Sequence, residues 1–207
     1  NRCGGSALTA DYTQAVSELA RQHELILHLD GARIFNAAAS LGVSAADLVA
    51  PVDSITFCLS KALCAPVGSV LCGSQEFIFR AHRIRKQLGG GMRQVGILAA
   101  AGIVALEEIA PRLIEDHQRA QTLAQGLANL PGIVLDTQEP PSNMVYLTLQ
   151  DEIPLNANQV AEKLQAHEIR AGIVGERSFR LVTHYWIDDE ATAKTVEAFT
   201  EVLKVYS

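Results

Sequence analysis

Residues 54–69 read SITFCLSKALCAPVGS, and this stretch is the most informative in the chain. The apolar run Ser54–Leu59 predicts a buried strand, and the proline- and glycine-containing segment after Lys61 predicts a turn. A second apolar strand, predicted at residues 25–29, leads directly into Asp30. A lysine at the end of a buried strand can be desolvated, which leaves its amine available to form a Schiff base.

Lys61 and Asp30 are the two residue types that pyridoxal 5′-phosphate needs at neighbouring strand ends. The lysine amine holds the aldehyde of the cofactor, and the carboxylate keeps the pyridine nitrogen protonated so that the ring can act as an electron sink. Each residue also has a plainer interpretation. Lys61 alone is typical of a surface lysine with a packed stem, and Asp30 alone is typical of a turn.

Four segments favour the chemical interpretation, because together and in order they resemble the threonine aldolases. These are pyridoxal-phosphate enzymes of the aspartate-aminotransferase fold. HLDGARIFNA at 28–37 resembles the cofactor strand of the family, and SKALCAPVGS at 60–69 resembles its lysine loop. GGGMRQ at 89–94 resembles its glycine-rich loop, and RLVTH at 180–184 resembles its C-terminal arginine strand. The resemblance covers nearly the whole chain.

The resemblance implies an aldehyde-lyase that cleaves L-threonine, L-allo-threonine or related β-hydroxy amino acids to glycine and an aldehyde. It implies catalytic roles for Lys61 and Asp30, and cofactor binding by both together with Arg33 and Arg93. It also implies that Arg33 and Arg180 bind the substrate carboxylate. A homo-oligomer is expected, and no metal.

Two features depart from the family pattern. Ala62 and Cys64 stand where the lysine loop usually has glycine, a residue that serves a positive φ or a close approach to a ligand. The chain also starts at Asn1, which corresponds to a point well inside the large domain of the family. We therefore expect the C-terminal portion of a longer enzyme or a natural truncation, without the first strands, the phosphate turn and the histidine that stacks on the cofactor ring.

Two alternatives remain open. The first is a non-catalytic remnant that folds or associates without turning over substrate, which Ala62 and Cys64 favour. The second is a related pyridoxal-phosphate β-eliminating lyase, such as one that cleaves tyrosine or tryptophan. The sequence HLDGAR at residues 28–33 counts against this second alternative. His28 shares a strand face with Asp30, and we expect it to be a packed histidine with a hydrogen-bond partner.

Composition narrows the class of protein. With 207 residues, 48% of them hydrophobic, the chain can bury a core, and its net charge of −6 argues against nucleic-acid binding. No apolar run is long enough to suggest a transmembrane helix. The four cysteines lack CxxC spacing, which favours buried reduced thiols and a cytoplasmic protein.

The order of elements predicts an α/β protein: the C-terminal part of a fold-type I enzyme, with a partial mixed sheet at 1–110 and a small α+β domain at 111–207. Pro111 should kink or divide a long helical stretch at 94–130, and Asp188 should cap the last helix. Further helices are predicted at 11–24, 35–41, 76–88 and 156–167, and further strands at 67–72, 144–149, 170–175 and 178–184. The strands at 54–59 and 67–72 should pair antiparallel, because their connection is short.

Overall fold

The computed structural model describes residues 4–206, and the chain clusters into two compact units. The first unit is Ala7–Leu113. The second begins at Ile114 and also includes residues 4–6. The backbone therefore passes between the units twice, after Ser6 and after Leu113. The predicted domain division into 1–110 and 111–207 stays a prediction.

Within the described part of the first unit, a mixed three-stranded sheet has the order β1-β2-β3. Its strands are β1 (His28–Asp30), β2 (Ser54–Cys58) and β3 (Ser69–Gly73). β1 runs parallel to β2, and β3 runs antiparallel to it as predicted. The helices are α1 (Ala10–Gln22), α2 (Ile34–Leu41), α3 (Ala45–Val49), α4 (Gln75–Gln87) and α5 (Gly96–Val104).

Local side chains fix where these helices begin and end. Thr9, Ser44 and Ser74 each accept a hydrogen bond from the backbone N–H three residues later, which satisfies an otherwise unpaired donor at the helix start. Gly42 ends α2 in the left-handed conformation, with φ of 67°. α2 thus follows β1 closely and stops at Gly42, and α3 lies between it and β2.

The described part of the second unit is an α+β fold with a four-stranded antiparallel sheet of order β4-β5-β7-β6. Its elements are α6 (Leu113–Ala128), β4 (Ile133–Leu135), β5 (Met144–Leu149), α7 (Ala157–Gln165), β6 (Gly172–Ile173), β7 (Ser178–Val182) and α8 (Asp189–Leu203). One face of this sheet packs against the helices through a buried cluster that includes Leu147, Phe179 and Phe199. Asp188 caps α8 as predicted, accepting from the N–H of Ala191 at 2.8 Å.

Several element bounds differ from the prediction. The strand predicted at 25–29 begins only at His28, because pairing with β2 determines its extent, and Ile26 is 80% exposed. The long helical stretch predicted at 94–130 is divided near Pro111 as predicted, by a π-helical turn at 105–109 and a 3-10 turn at 110–112. Pro111 lies in that 3-10 turn, where its missing N–H cannot continue an α-helix. The strand β4 was not predicted.

The prediction of buried thiols is wrong for the cysteines in the described residues. Cys64 and Cys72 are exposed, and Cys58 is half-buried. All three are free. They lie on β2, on β3 and on the loop between these strands, which neighbouring layers cover little. Cys3 lies outside the described residues. No helix within residues 4–206 is long and apolar enough to cross a membrane.

Candidate active site

The carboxyl ends of β1 and β2 meet at one edge of the first unit's sheet. The N–H of Gly31 donates to the carbonyl of Thr56 at 2.8 Å, so the chain just after β1 still lies beside β2. Asp30 is the last residue of β1, and Lys61 comes three residues after the end of β2. The structure therefore brings Asp30 and Lys61 to the edge at which open α/β sheets bind their ligands.

Asp30 presents an exposed carboxylate at this edge. Its Oδ1 accepts a hydrogen bond from the N–H of Ala32 at 3.2 Å, and its Oδ2 has no hydrogen-bond partner within the described residues. His28 lies two residues earlier, with Nδ1 2.9 Å from Ser54 Oγ. The predicted hydrogen-bond partner of His28 is thus present, but its side chain is exposed rather than packed, because the edge strand β1 is little covered.

The loop that carries Lys61 is held by apolar packing on one side of the lysine. Ala62 and Leu63 are buried at 6% and 3% exposure, whereas Lys61 is exposed and has no hydrogen-bond or ion-pair partner in residues 4–206. The N–H of Cys64 closes the turn by donating to the carbonyl of Lys61 at 2.9 Å. The expected desolvation of Lys61 is therefore wrong for this structure, since the turn directs its neighbours rather than Lys61 into the core.

The two departures from the glycine pattern have different structural consequences. Ala62 has no positive φ, and its methyl group packs in the cluster with Leu63. Cys64 has φ of 58°, the left-handed conformation that a side chain disfavours. The backbone thus still has the geometry that glycine serves at position 64, but not at position 62.

The three predicted arginines lie on separate elements. Arg33 is half-buried at the N-terminus of α2, directly after the strand that ends in Asp30. Arg93 is exposed on the connection between α4 and α5, after the Gly89–Gly91 segment. Arg180 belongs to the second unit. It lines a cavity of about 750 Å³ on the open face of that unit's sheet, and its Nε is buried.

The other polar residues of this cavity were not identified from the sequence: Asp136, Tyr146, Thr148 and Ser178. The alternation of polar and apolar residues along β5 and β7 was the available signal for three of them, because it places Tyr146, Thr148 and Ser178 on one sheet face.

The donor set in the first unit fits pyridoxal 5′-phosphate. That cofactor requires a free amine for its aldehyde and a carboxylate for its ring nitrogen. Lys61 offers an amine with no partner within the described residues, and Asp30 offers an exposed carboxylate oxygen at the same sheet edge.

Comparisons with known proteins agree with this chemistry. The family model for beta-eliminating lyases matches residues 1–150. Low-specificity L-threonine aldolase 1 of Arabidopsis thaliana is 42% identical over 200 residues, which are 97% of this chain and 56% of that protein. The low specificity L-threonine aldolase of Escherichia coli K12 is 40% identical over 194 residues, which are 94% of this chain and 56% of that protein. This chain therefore spans just over half the length of these relatives.

The fold is also that of known pyridoxal-phosphate enzymes. A threonine aldolase structure from Leishmania major superposes with a TM-score of 0.75 at 21% identity, covering 99% of this chain and 59% of that one. This match confirms the predicted α/β class, with part of a mixed sheet and a small α+β unit. Members of the matched family use pyridoxal 5′-phosphate. By the match over residues 1–150, this chain belongs to the beta-eliminating lyase family.

Proposed function

We propose that this protein is a pyridoxal-phosphate-dependent aldehyde-lyase that cleaves L-threonine, L-allo-threonine or related β-hydroxy amino acids to glycine and an aldehyde. One observation carries the proposal: Asp30 ends β1 and Lys61 follows β2, and these neighbouring parallel strands end at the same edge of one sheet. The names of the Arabidopsis and Escherichia coli relatives support the substrate class.

In this proposal, Lys61 holds the aldehyde of the cofactor through its exposed amine, and Asp30 holds the proton on the pyridine nitrogen. The bound cofactor supplies an electron sink for the pair released when the Cα–Cβ bond of the substrate breaks. Asp30 suits its role because Oδ2 has no partner in the described residues, while the N–H of Ala32 fixes the orientation of the carboxylate through Oδ1.

The three arginines would bind the anionic groups. A guanidinium is planar and can hold a carboxylate through two parallel hydrogen bonds, so we assign the substrate carboxylate to Arg180 and Arg33. Arg33 also borders the cofactor position, because it follows the strand that ends in Asp30. Arg93 follows a glycine-rich loop and the basic end of α4, and we assign it to the cofactor phosphate.

A second candidate is a chain that folds and associates but does not turn over substrate. The positive φ of Cys64 favours this candidate, because a side chain now stands in the turn next to Lys61 where the family usually has glycine. A pyridoxal-phosphate lyase that eliminates at Cβ is a third candidate, consistent with the description of the matched family.

We also propose that the protein assembles with further copies of itself and works in the cytoplasm. β3 leaves one edge unpaired within the described residues, and exposed strand edges offer hydrogen-bonding groups to another chain. Beside it, α4 contributes to an apolar groove that includes Leu71, Phe77, Ile84 and Leu88. The free cysteines of the described residues suit a reducing compartment.

The activity and its residues can be tested together. Protein incubated with pyridoxal 5′-phosphate and L-threonine or L-allo-threonine should release equal amounts of glycine and acetaldehyde. Lys61→Ala should abolish both the release and the borohydride-stable attachment of the cofactor, and Lys163→Ala serves as the control. Asp30→Ala should weaken cofactor binding by roughly 1.5–3 kcal/mol, and Asp30→Glu by less. Cofactor attachment that survives in Lys61→Ala would contradict the assignment.

A further inference from the structure

An apolar seam runs along one face of α4. Its members follow one another at intervals of four, three and four residues, which places them in a row on the helix: Phe77, Ala81, Ile84 and Leu88. Together with Leu71 of β3, they line the groove of about 600 Å³ beside the unpaired sheet edge. Ile84 and Leu88 are exposed, so no other part of residues 4–206 covers this end of the α4 seam.

Arginines border the α4 seam on both sides, since Arg80 and Arg85 also line the groove. Arg80 is paired with Glu76 at 2.7 Å, but both side chains of that pair are exposed and belong to α4 itself. With histidine neutral, α4 has four cationic residues and one acidic residue, a net charge of +3. The charges that border the seam of a helix pair decide which partner is accepted. The α4 seam therefore favours an acidic helix and disfavours a second α4, whose arginines would repel its own.

A second exposed apolar seam lies on α1, and carboxylates border it. Tyr12, Ala15 and Leu19 share one face of this helix, and Tyr12 and Leu19 are 55% and 56% exposed. Asp11 lies four residues before Ala15 and Glu18 three residues after it, so both carboxylates border the same side of the α1 seam. The basic residue of α1 comes nine residues after Tyr12, on the opposite side of the helix. The α1 seam thus carries the charge that the α4 seam favours.

The other helices of the described residues do not combine an exposed apolar face with bordering acids. α5 is apolar and exposed at Ile97, but it has no charged residue for the arginines to select. α2 has no acid, and α3 is a helix of five residues whose Leu48 is buried. α6, α7 and α8 carry acids, but their apolar faces are packed into the core of the second unit. Charge and exposure together therefore single out α1.

The exposed area of the chain is large enough for such a contact. It amounts to 12641 Å². Two separate compact globules of half this length would together expose roughly 11,300 Å², so the surplus is roughly 1,300 Å². Each partner in a standard protein–protein interface buries about 800 Å², which is less than this surplus. Most of the large apolar side chains that are exposed belong to the first unit, which contains both seams.

We infer that the α4 seam of one copy binds the α1 seam of a second copy, with Asp11 and Glu18 of α1 facing Arg80 and Arg85 of α4. The contact joins two different surfaces, so each copy can bind one neighbour through α1 and another through α4. This inference rests on the assembly proposed under the function above. It adds which element of the second copy occupies the groove and why a second α4 does not.

Charge reversal on each helix tests the contact. Light scattering across a concentration series should show that the unaltered chain forms assemblies larger than a dimer. Asp11→Lys combined with Glu18→Lys should raise the concentration of half-association by roughly tenfold or more, because like charges then face each other. Arg80→Glu combined with Arg85→Glu should have the same effect for the same reason.

A mixture of the two charge-reversed variants should assemble as the unaltered chain does. In the mixture, the new lysines on α1 of one variant face the new glutamates on α4 of the other. The remaining contact joins an unaltered α1 to an unaltered α4. Restored association would also show that both variants are folded.

Control variants carry the same changes of charge away from the two seams. Glu162→Lys with Glu197→Lys alters exposed helix positions of the second unit, and Arg83→Glu with Lys86→Glu alters other faces of α4. Neither control should change association. If the unaltered chain assembles but neither reversal at the seams weakens it, or mixing does not restore it, the inference is overturned and the proposed assembly stands. Monomers of the unaltered chain at all concentrations would contradict the proposed assembly as well.

Discussion

At the scale of single residues, the loop around Lys61 shows how a departure from a family pattern can have opposite effects at two nearby positions. Ala62 contributes a buried methyl group in an ordinary backbone conformation. Cys64 places a side chain in the left-handed region, where an L-residue is disfavoured by about 1–2 kcal/mol. The free energy of unfolding should therefore respond to glycine with opposite sign at these two positions.

Cys64→Gly should raise the free energy of unfolding by roughly 0.5–1 kcal/mol, because glycine adopts the left-handed conformation without a steric penalty. Ala62→Gly should lower it by about 1 kcal/mol, because it removes a buried methyl group and adds backbone freedom to the unfolded chain. Urea denaturation of the two variants measures both values. Stabilisation by both variants, or by neither, would contradict this account of the loop.

At the scale of elements, the sequence predicts features that depend on nearby residues, such as helix caps. It does not predict features that depend on pairing with a distant strand. Asp188 caps α8 through a bond to the residue three positions later, so the sequence alone indicates it. The extent of β1 depends on its pairing with β2, which no local pattern contains. For the same reason β4 was missed, since its pairing with β5 defines it.

The candidate site divides in the same way. The strand-end positions of Asp30 and Lys61 follow from apolar runs, and the parallel pairing of β1 with β2, which brings them to one edge, fits the mixed sheet that was predicted. The exposure of Lys61 was not predictable, because it depends on which neighbours the turn sends into the core. Which polar side chains lie beside Arg180 on the sheet depends on the register of β5 and β7, and the sequence does not contain that register.

Arg177 supports the turn after β5, and its loss should destabilise the second unit. Its guanidinium donates to several backbone carbonyls, those of Leu149, Gln150, Ile153 and Leu155. Arg177→Met should lower the free energy of unfolding by roughly 2–3 kcal/mol, since hydrogen bonds to a charged group are strong and the carbonyls lose their donor. Arg177→Lys should recover only part, because an ammonium lacks the planar fork. Denaturation of Arg170→Met, an exposed neighbour, gives the baseline, and an equal effect there would refute the role.

At the scale of the whole molecule, the first unit exposes apolar surface that a second copy could cover. The groove beside β3 includes Leu88, which is 82% exposed. Light scattering across a concentration series should show oligomers, and Leu88→Glu should shift the distribution towards monomer by placing a charge in the contact. Val205 is 80% exposed in the second unit, so Val205→Glu adds the same charge elsewhere and should leave the distribution unchanged. Monomers at all concentrations would contradict the proposed assembly.

Global stability should also depend on pH through His117, which is buried on α6. Burial lowers the pKa of His117 below the ordinary histidine value of about 6.5. The unfolded chain therefore binds a proton more readily than the folded one just below that pH, and stability falls as the pH drops from about 7.5 to about 5.5. The urea midpoint at the two pH values measures this effect.

His117→Gln should reduce the change in stability between the two pH values, and the exposed His82→Gln should leave that change as it is. If the change is the same in His117→Gln as in the unaltered chain, His117 is not its cause.

The discontinuity of the second unit sets an order of events during synthesis on the ribosome. Ser142 donates its hydroxyl to the carbonyl of Gly5 at 3.0 Å, across 137 positions in the chain. A Cβ at Gly5 would lie 2.7 Å from the Met144 side chain, so this contact is close. Gly5 is translated early but must wait for its partners until the intervening unit has been made. The first unit can thus fold while the chain is still growing, and the second is completed only when the later-translated residues capture the waiting segment at residues 4–6.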